Sequence, residues 1–139
     1  MTLPGIFTVE EAREVLTGLL PLLDRVVEVR ADARQLGADL DAGAAGGGGL
    51  GGLPELKAAQ AQLDDLLTQV QGTGVELKGF APLLLDFPAD LDGVPVLLCW
   101  VEGERELGWY HRADLGFAGR RRLPDRAGPA SPGVVGGAS

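Results

Sequence analysis

The spacing of apolar side chains changes period at Gly74, and this change restricts the fold more than any other feature of the chain. Before it, apolar residues recur every three or four positions: Ala12, Leu16, Leu19, Leu23 and Val26 in one segment, then Leu56, Ala59, Leu63, Leu66, Leu67 and Val70 in the next. Such a recurrence makes a continuous stripe on a helix, and a stripe requires a partner to bury it. After Gly74 the runs 75–78, 83–87, 94–101 and 106–111 are short, apolar or β-branched, and divided by Gly, Pro and Asp, which is the pattern of strands. Helices followed by strands, without alternation, predict an α+β protein. The expected architecture is an antiparallel helical hairpin packed on a small antiparallel β-meander of three to four strands.

Local chemistry sets the expected boundaries. Thr8 can cap a helix and Glu11, three residues later, completes a capping box, so the first helix is expected over 8–36, with Leu20 and Val27 widening its stripe. Pro21 lies inside that pattern and predicts a kink near Gly18, since it removes a donor and crowds the preceding turn. Residues 42–52 read AGAAGGGGLGG, a flexible linker with almost nothing to pack. Its glycines do not follow a strand and no GKS/T motif follows them, which argues against a phosphate loop. Pro54 suits the start of a second helix over 54–71, ended by Gly72 and Gly74. Asp92-Gly93 and Glu102-Gly103-Glu104-Arg105 mark turns, and Pro95 places the start of its strand at an edge or just outside the ladder. Residues 120–139 carry no hydrophobic period and are expected to be a disordered tail, leaving 1–119 as a single domain.

Charge narrows the class of partner. The chain carries 12 basic and 20 acidic side chains, a net charge of -8, which argues against nucleic-acid binding, because phosphate recognition rests on clustered Lys and Arg. No apolar run approaches the roughly 20 residues that span a bilayer, and the N-terminus lacks the basic region of a signal peptide. One cysteine cannot form an internal disulfide. A cytoplasmic protein is expected.

The rare residues gather in one stretch, Val94 to His111, which holds the only Cys, the only His, the only Tyr and both Trp. A tight turn pairing Glu102 with Arg105 would set Leu98 opposite Trp109 and Val96 opposite His111. Val96, Leu98, Trp100, Leu107, Trp109 and His111 would then share one side, and Leu97, Cys99 and Tyr110 the other. On that register both Trp form the core under the helices. Cys99 is expected as an inert small hydrophobe, separated from His111 by the sheet. Asp86, within Leu-Leu-Leu-Asp-Phe-Pro, needs a partner, because a lone buried carboxylate costs several kcal/mol; the candidates are His111, Arg112, Arg120, a backbone turn or a metal. It meets His111 if Asp86 registers opposite Val96. Glu102 and Glu104 are expected as solvated turn carboxylates, and Arg120 is expected to pair with the acidic body.

Read together, these residues resemble a known bacterial family. FTVEEAREVL, then GVELK, then LLLDFPADLDGVPVLLCWVEGERELGWYHRADLGFAGR, with DFPA, DG, LCW, GE, WYH and GFAGR in that order, is similar to the domain of unknown function 2203 across most of residues 6–122. The resemblance implies a compact helical hairpin with a sheet and no established activity. It draws attention to Asp86, Cys99, Trp100, Glu104, His111 and Gly119-Arg120. The Gly-rich linker, and Gly79-Phe80 after Lys78, depart from the expected pattern.

The leading expectation is a non-enzymatic binding or adaptor module using an exposed sheet face or the helical hairpin, as a homodimer or with another protein, with no membrane. Two apolar sheet faces and one helical layer motivate it, and Trp100, Tyr110 and Arg120 are its candidate contacts. The alternative is a metal or small-anion site built from Asp86, His111 and Glu104 or Glu102, with Arg120 receiving the anion. That donor set would suit manganese or iron better than structural zinc. No nucleophile with its base, phosphate loop or paired catalytic carboxylates supports an enzyme.

Overall fold

In a computed structural model of the chain, residues 6–45, 52–114 and 119–124 are described. Two helices, α1 (Val9–Ala45) and α2 (Leu53–Gln71), precede five strands: β1 (Glu76–Phe80), β2 (Leu83–Leu91), β3 (Val94–Val101), β4 (Trp109–Arg112) and β5 (Arg121–Arg122). The capping box forms as its residues dictate: Thr8 Oγ1 accepts from the Glu11 amide at 3.0 Å and Glu11 Oε1 from the Thr8 amide at 2.9 Å. The helix then runs through Pro21 and past the expected end at Leu36 to Ala45. Alanine-rich sequence sustains it, so the first residues of the expected linker are helical; residues 46–51 lie outside the described part.

The strands form one antiparallel sheet in the order β1-β2-β3-β4-β5. Five strands replace the expected three to four, because β5 arises inside the segment expected to be a disordered tail. Arg121 and Arg122 pair with Tyr110 and Trp109, the Leu123 amide donates to the Gly108 carbonyl at 2.7 Å, and Leu123 is buried. A strand this short has no period to read, and one buried leucine with one edge pairing is enough to hold it. Residues 125–139 lie outside the described part. β2 extends to Leu91 and β4 begins at Trp109 instead of Glu106.

One face of this sheet takes the helices. Leu83, Leu85, Phe87 and Ala89 of β2 and Val96, Leu98 and Trp100 of β3 join the helix residues Ala12, Leu16, Leu19, Leu23, Val26, Val29, Leu63, Leu66 and Val70 in one core. At about 1.5–3 kcal/mol for each large side chain fully buried, this layer dominates the stability. Phe7 fastens the start of α1 to the sheet. Its amide donates to the Pro88 carbonyl at 2.7 Å and its ring meets Phe87 edge-on, with centroids 5.5 Å apart.

The register differs from the expected one in two places. Val96 pairs with Arg112, Leu97 with His111, Leu98 with Tyr110 and Cys99 with Trp109, a slip of one residue. The reason lies in the connection, which is longer than a tight two-residue turn: the Glu104 amide donates to the Val101 carbonyl at 3.0 Å, the Trp100 indole donates to the Glu104 carbonyl at 2.8 Å, and Gly103 takes a φ of 102°. A one-residue slip moves every β4 side chain to the other face. Trp109 therefore leaves the core, and Trp100 remains in it. The β2–β3 register is also displaced by an odd number, with Asp86 opposite Cys99 and not Val96. Two odd displacements cancel, so Asp86 and His111 share a face after all.

Candidate functional site

The face turned away from the helices carries the chemistry. Asp86 comes from the centre of β2, Cys99 lies opposite it on β3, and Trp109 and His111 alternate on β4. Cross-strand neighbours on one face lie close enough for side-chain contact, and His111 reaches over β3 to Asp86. Its Nε2 is 3.3 Å from Asp86 Oδ2 and 3.4 Å from Oδ1. The two side chains are 6% and 9% exposed, so this is a buried pair. Nδ1 of His111 is 3.0 Å from the Arg112 carbonyl oxygen. A carbonyl can only accept, so that nitrogen carries a hydrogen. Nε2 then faces the carboxyl group of Asp86. Burial pushes the Asp86 carboxyl above the usual carboxylate range, against the opposing pull of His111.

Cys99 shares this face with His111, contrary to the expected separation. It remains unsuited to nucleophilic work for a different reason. The thiol is buried, and desolvation raises its pKa, opposed by Arg120, so it stays protonated near neutral pH. The expectation of an inert side chain agrees with this environment.

Beside the pair lies a second charged group. Arg120 Nη2 donates to Glu104 Oε2 at 3.2 Å and to Oε1 at 3.4 Å, and its guanidinium sits 4.5 Å from the centre of the Trp109 ring. Arg122 approaches the same ring at 5.4 Å. Glu104 also accepts the Val101 amide at 2.9 Å. Glu104 is thus no solvated turn carboxylate, and it is turned to Arg120 and the turn backbone. The expected triad of Asp86, His111 and Glu104 does not assemble: among the described residues no three His, Cys, Asp or Glu side chains come together as a metal site. Trp100, expected at a partner surface, is buried against the helices, and Tyr110 packs half-buried at the margin of the same core.

Glu102 shows what the sequence concealed. It takes both Arg30 guanidinium nitrogens at 2.7 Å and the Leu83 amide at 3.0 Å, while Arg30 also donates to the Phe80 carbonyl at 2.7 Å. The Arg30 hydrogen bonds hold its carboxyl below the usual range. Arg105, its expected partner, reaches Asp24 instead, at 3.0 Å. Arg30 and Glu102 are 72 residues apart, and no local signal joins them.

The family model described as "Uncharacterized conserved protein (DUF2203)" matches residues 5–123. The chain belongs to the DUF2203 family. The match spans both helices and all five strands of this DUF2203 protein, β5 included. The chain matches no curated protein and no solved structure. No helix among the described residues is long and apolar enough to cross a membrane.

Proposed function

We propose that this DUF2203 protein is a non-enzymatic binding module whose contact surface is the sheet face opposite the helices. The observation that carries this reading is the set of side chains there: Leu84, Pro88, Leu97, Val101 and Trp109 are all half-buried and lie outside the helix-covered core. Apolar side chains gathered on one face mark an interface more often than they mark solvent. A second copy of the chain is the partner to test first, by light scattering of wild type and of Leu97→Glu. A dimer that dissociates in the variant supports the reading; a monomer at high concentration counts strongly against self-association through this face.

A second reading has its own support, from His111. Histidines that ligate metals usually donate their other ring N–H to a carbonyl or carboxylate, and His111 is placed this way, with Nε2 turned towards Asp86. The two could supply a nitrogen and an oxygen to a divalent ion such as manganese or iron, whose remaining ligands would be water or a bound anion. Elemental analysis with native mass spectrometry of protein purified without chelator tests it. Stoichiometric metal that is lost in His111→Ala supports this reading, and metal-free wild-type protein after incubation with manganese or iron counts against it.

A further inference from the structure

The helical hairpin is longer than the sheet it covers. Phe7, just before α1, bonds the Pro88 carbonyl towards one end of β2. At the other end Arg30 bonds the Phe80 carbonyl and Glu102, and Glu102 accepts the amide of Leu83, the first residue of β2. Residues 8–30 therefore span the sheet, and α1 continues to Ala45, about 22 Å further at 1.5 Å per residue. Burial marks the same limit: among the described residues, the last buried side chain of α1 is Val29 and the first of α2 is Leu63. The apolar stripe does not stop there. Ala33, Leu36 and Leu40 on α1, and Leu53, Leu56 and Ala59 on α2, keep the three-and-four spacing and are only half-buried.

Where the hairpin leaves the sheet there is a groove of about 500 Å³, lined by Ala33, Gly37, Leu56, Leu63 and Phe80 among others. Phe80 is 40% exposed. Glycine inside a helix weakens it, and internal packing does not require this one, since a Cβ added at Gly37 would meet nothing within 4 Å. The bare backbone leaves room for a neighbour to approach closely. The two walls carry opposite charge, with Arg34 on the α1 wall and Asp64 on the α2 wall. Both are exposed, and among the described residues neither has an ion-pair partner. Arg30, also on the α1 wall, is taken up by Glu102.

We propose that this groove binds an amphipathic helix of another protein, apolar along the face that enters, with acidic residues along the edge beside Arg34 and basic residues along the edge beside Asp64. A third helix completes two packed antiparallel helices into a bundle, and such grooves read a helix through apolar anchors at three-and-four spacing. The helix comes from another protein because α1 and α2 already pack on each other. The groove is separate from the sheet face proposed above, and neither reading depends on the other.

Amide NMR of the full chain tests the assignment, by titration with a synthetic helix of two heptads that has Leu and Ala on one face, Glu along one edge and Lys along the other. The peptide should shift the amides of Ala33, Gly37, Leu56 and Phe80. Gly37→Leu should weaken binding by about tenfold or more, as overpacking of a contact does. Its Tm should stay at or above that of wild type, because a good helix former replaces a poor one. Arg34→Glu and Asp64→Lys should each weaken binding about fivefold, the size of one exposed ion pair, although they move the net charge in opposite directions. Together they should restore it, because the peptide then binds in the reverse direction with its edges exchanged. Leu97→Glu should leave it unchanged. Affinity unaltered by Gly37→Leu, single reversals that act in opposite directions, a double reversal no tighter than the singles, or shifts confined to Leu97 and Trp109 would overturn the proposal. So would the absence of binding at millimolar peptide, or groove shifts that follow protein concentration alone, which would make a second copy the occupant.

Discussion

The two faces of the sheet solve the problem of burial differently. The helix-covered face is apolar from Leu83 to Trp100 and needs no partner beyond dispersion and exclusion of water. The opposite face buries a carboxyl and an imidazole side by side, with a thiol between their strands. Apolar burial stabilises in proportion to area, whereas a buried ion pair regains in mutual attraction roughly what desolvation costs. The first face therefore accounts for the fold, and the second asks for an account in terms of function.

The largest test of this contrast is Phe87→Ala, which should cost about 3–5 kcal/mol in urea unfolding by leaving a cavity under α1. A cost near zero would mean that the helical layer is not what stabilises the sheet. On the other face, His111→Leu alone should cost about 3 kcal/mol, because it leaves Asp86 buried without its partner. Adding Asp86→Leu should then restore wild-type stability or exceed it, since apolar replacement of a buried pair is often neutral or stabilising. A double variant as damaged as the single one would show that shape, and not charge, matters at this site.

Glu102→Gln should have a smaller effect, about 1 kcal/mol, because the Arg30 pair is partly exposed. Its pH dependence sharpens the comparison. The Glu102 carboxyl is held below its ordinary pKa, so its contribution is present above that value and lost as pH falls through the lowered one. The Asp86 carboxyl is raised, so the stability it contributes is full below its ordinary pKa and lost as pH rises through the raised value. Between pH 3 and pH 7, roughly the range over which carboxylates titrate, the stability differences between wild type and Glu102→Gln and between wild type and Asp86→Asn should slope in opposite directions in urea titrations. Parallel slopes would show that the two carboxyls do not differ in this way. Smallest of all, Arg105→Gln should change stability by less than about 0.5 kcal/mol, an effect that added salt removes.

What could be read along the chain was what depends on near neighbours. The Thr8–Glu11 capping box, the stripe from Ala12 to Val26 and the bounds of β3 at Val94 and Val101 all emerge from spacings of a few residues. So does the Asp92-Gly93 turn, where both residues take positive φ, 54° and 84°, as the favoured two-residue hairpin requires. The need for a partner at Asp86 was equally legible, because an acid among leucines announces its own cost. Register was not legible. It depends on how many residues the connection after Val101 absorbs, and a difference of one residue moved Trp109 out of the core and placed Cys99 on the same face as His111. The Arg30–Glu102 pair and β5 join segments far apart in the chain. They exist only once the helices and sheet are packed, because contacts at long sequence separation leave no periodic trace for a pattern to reveal.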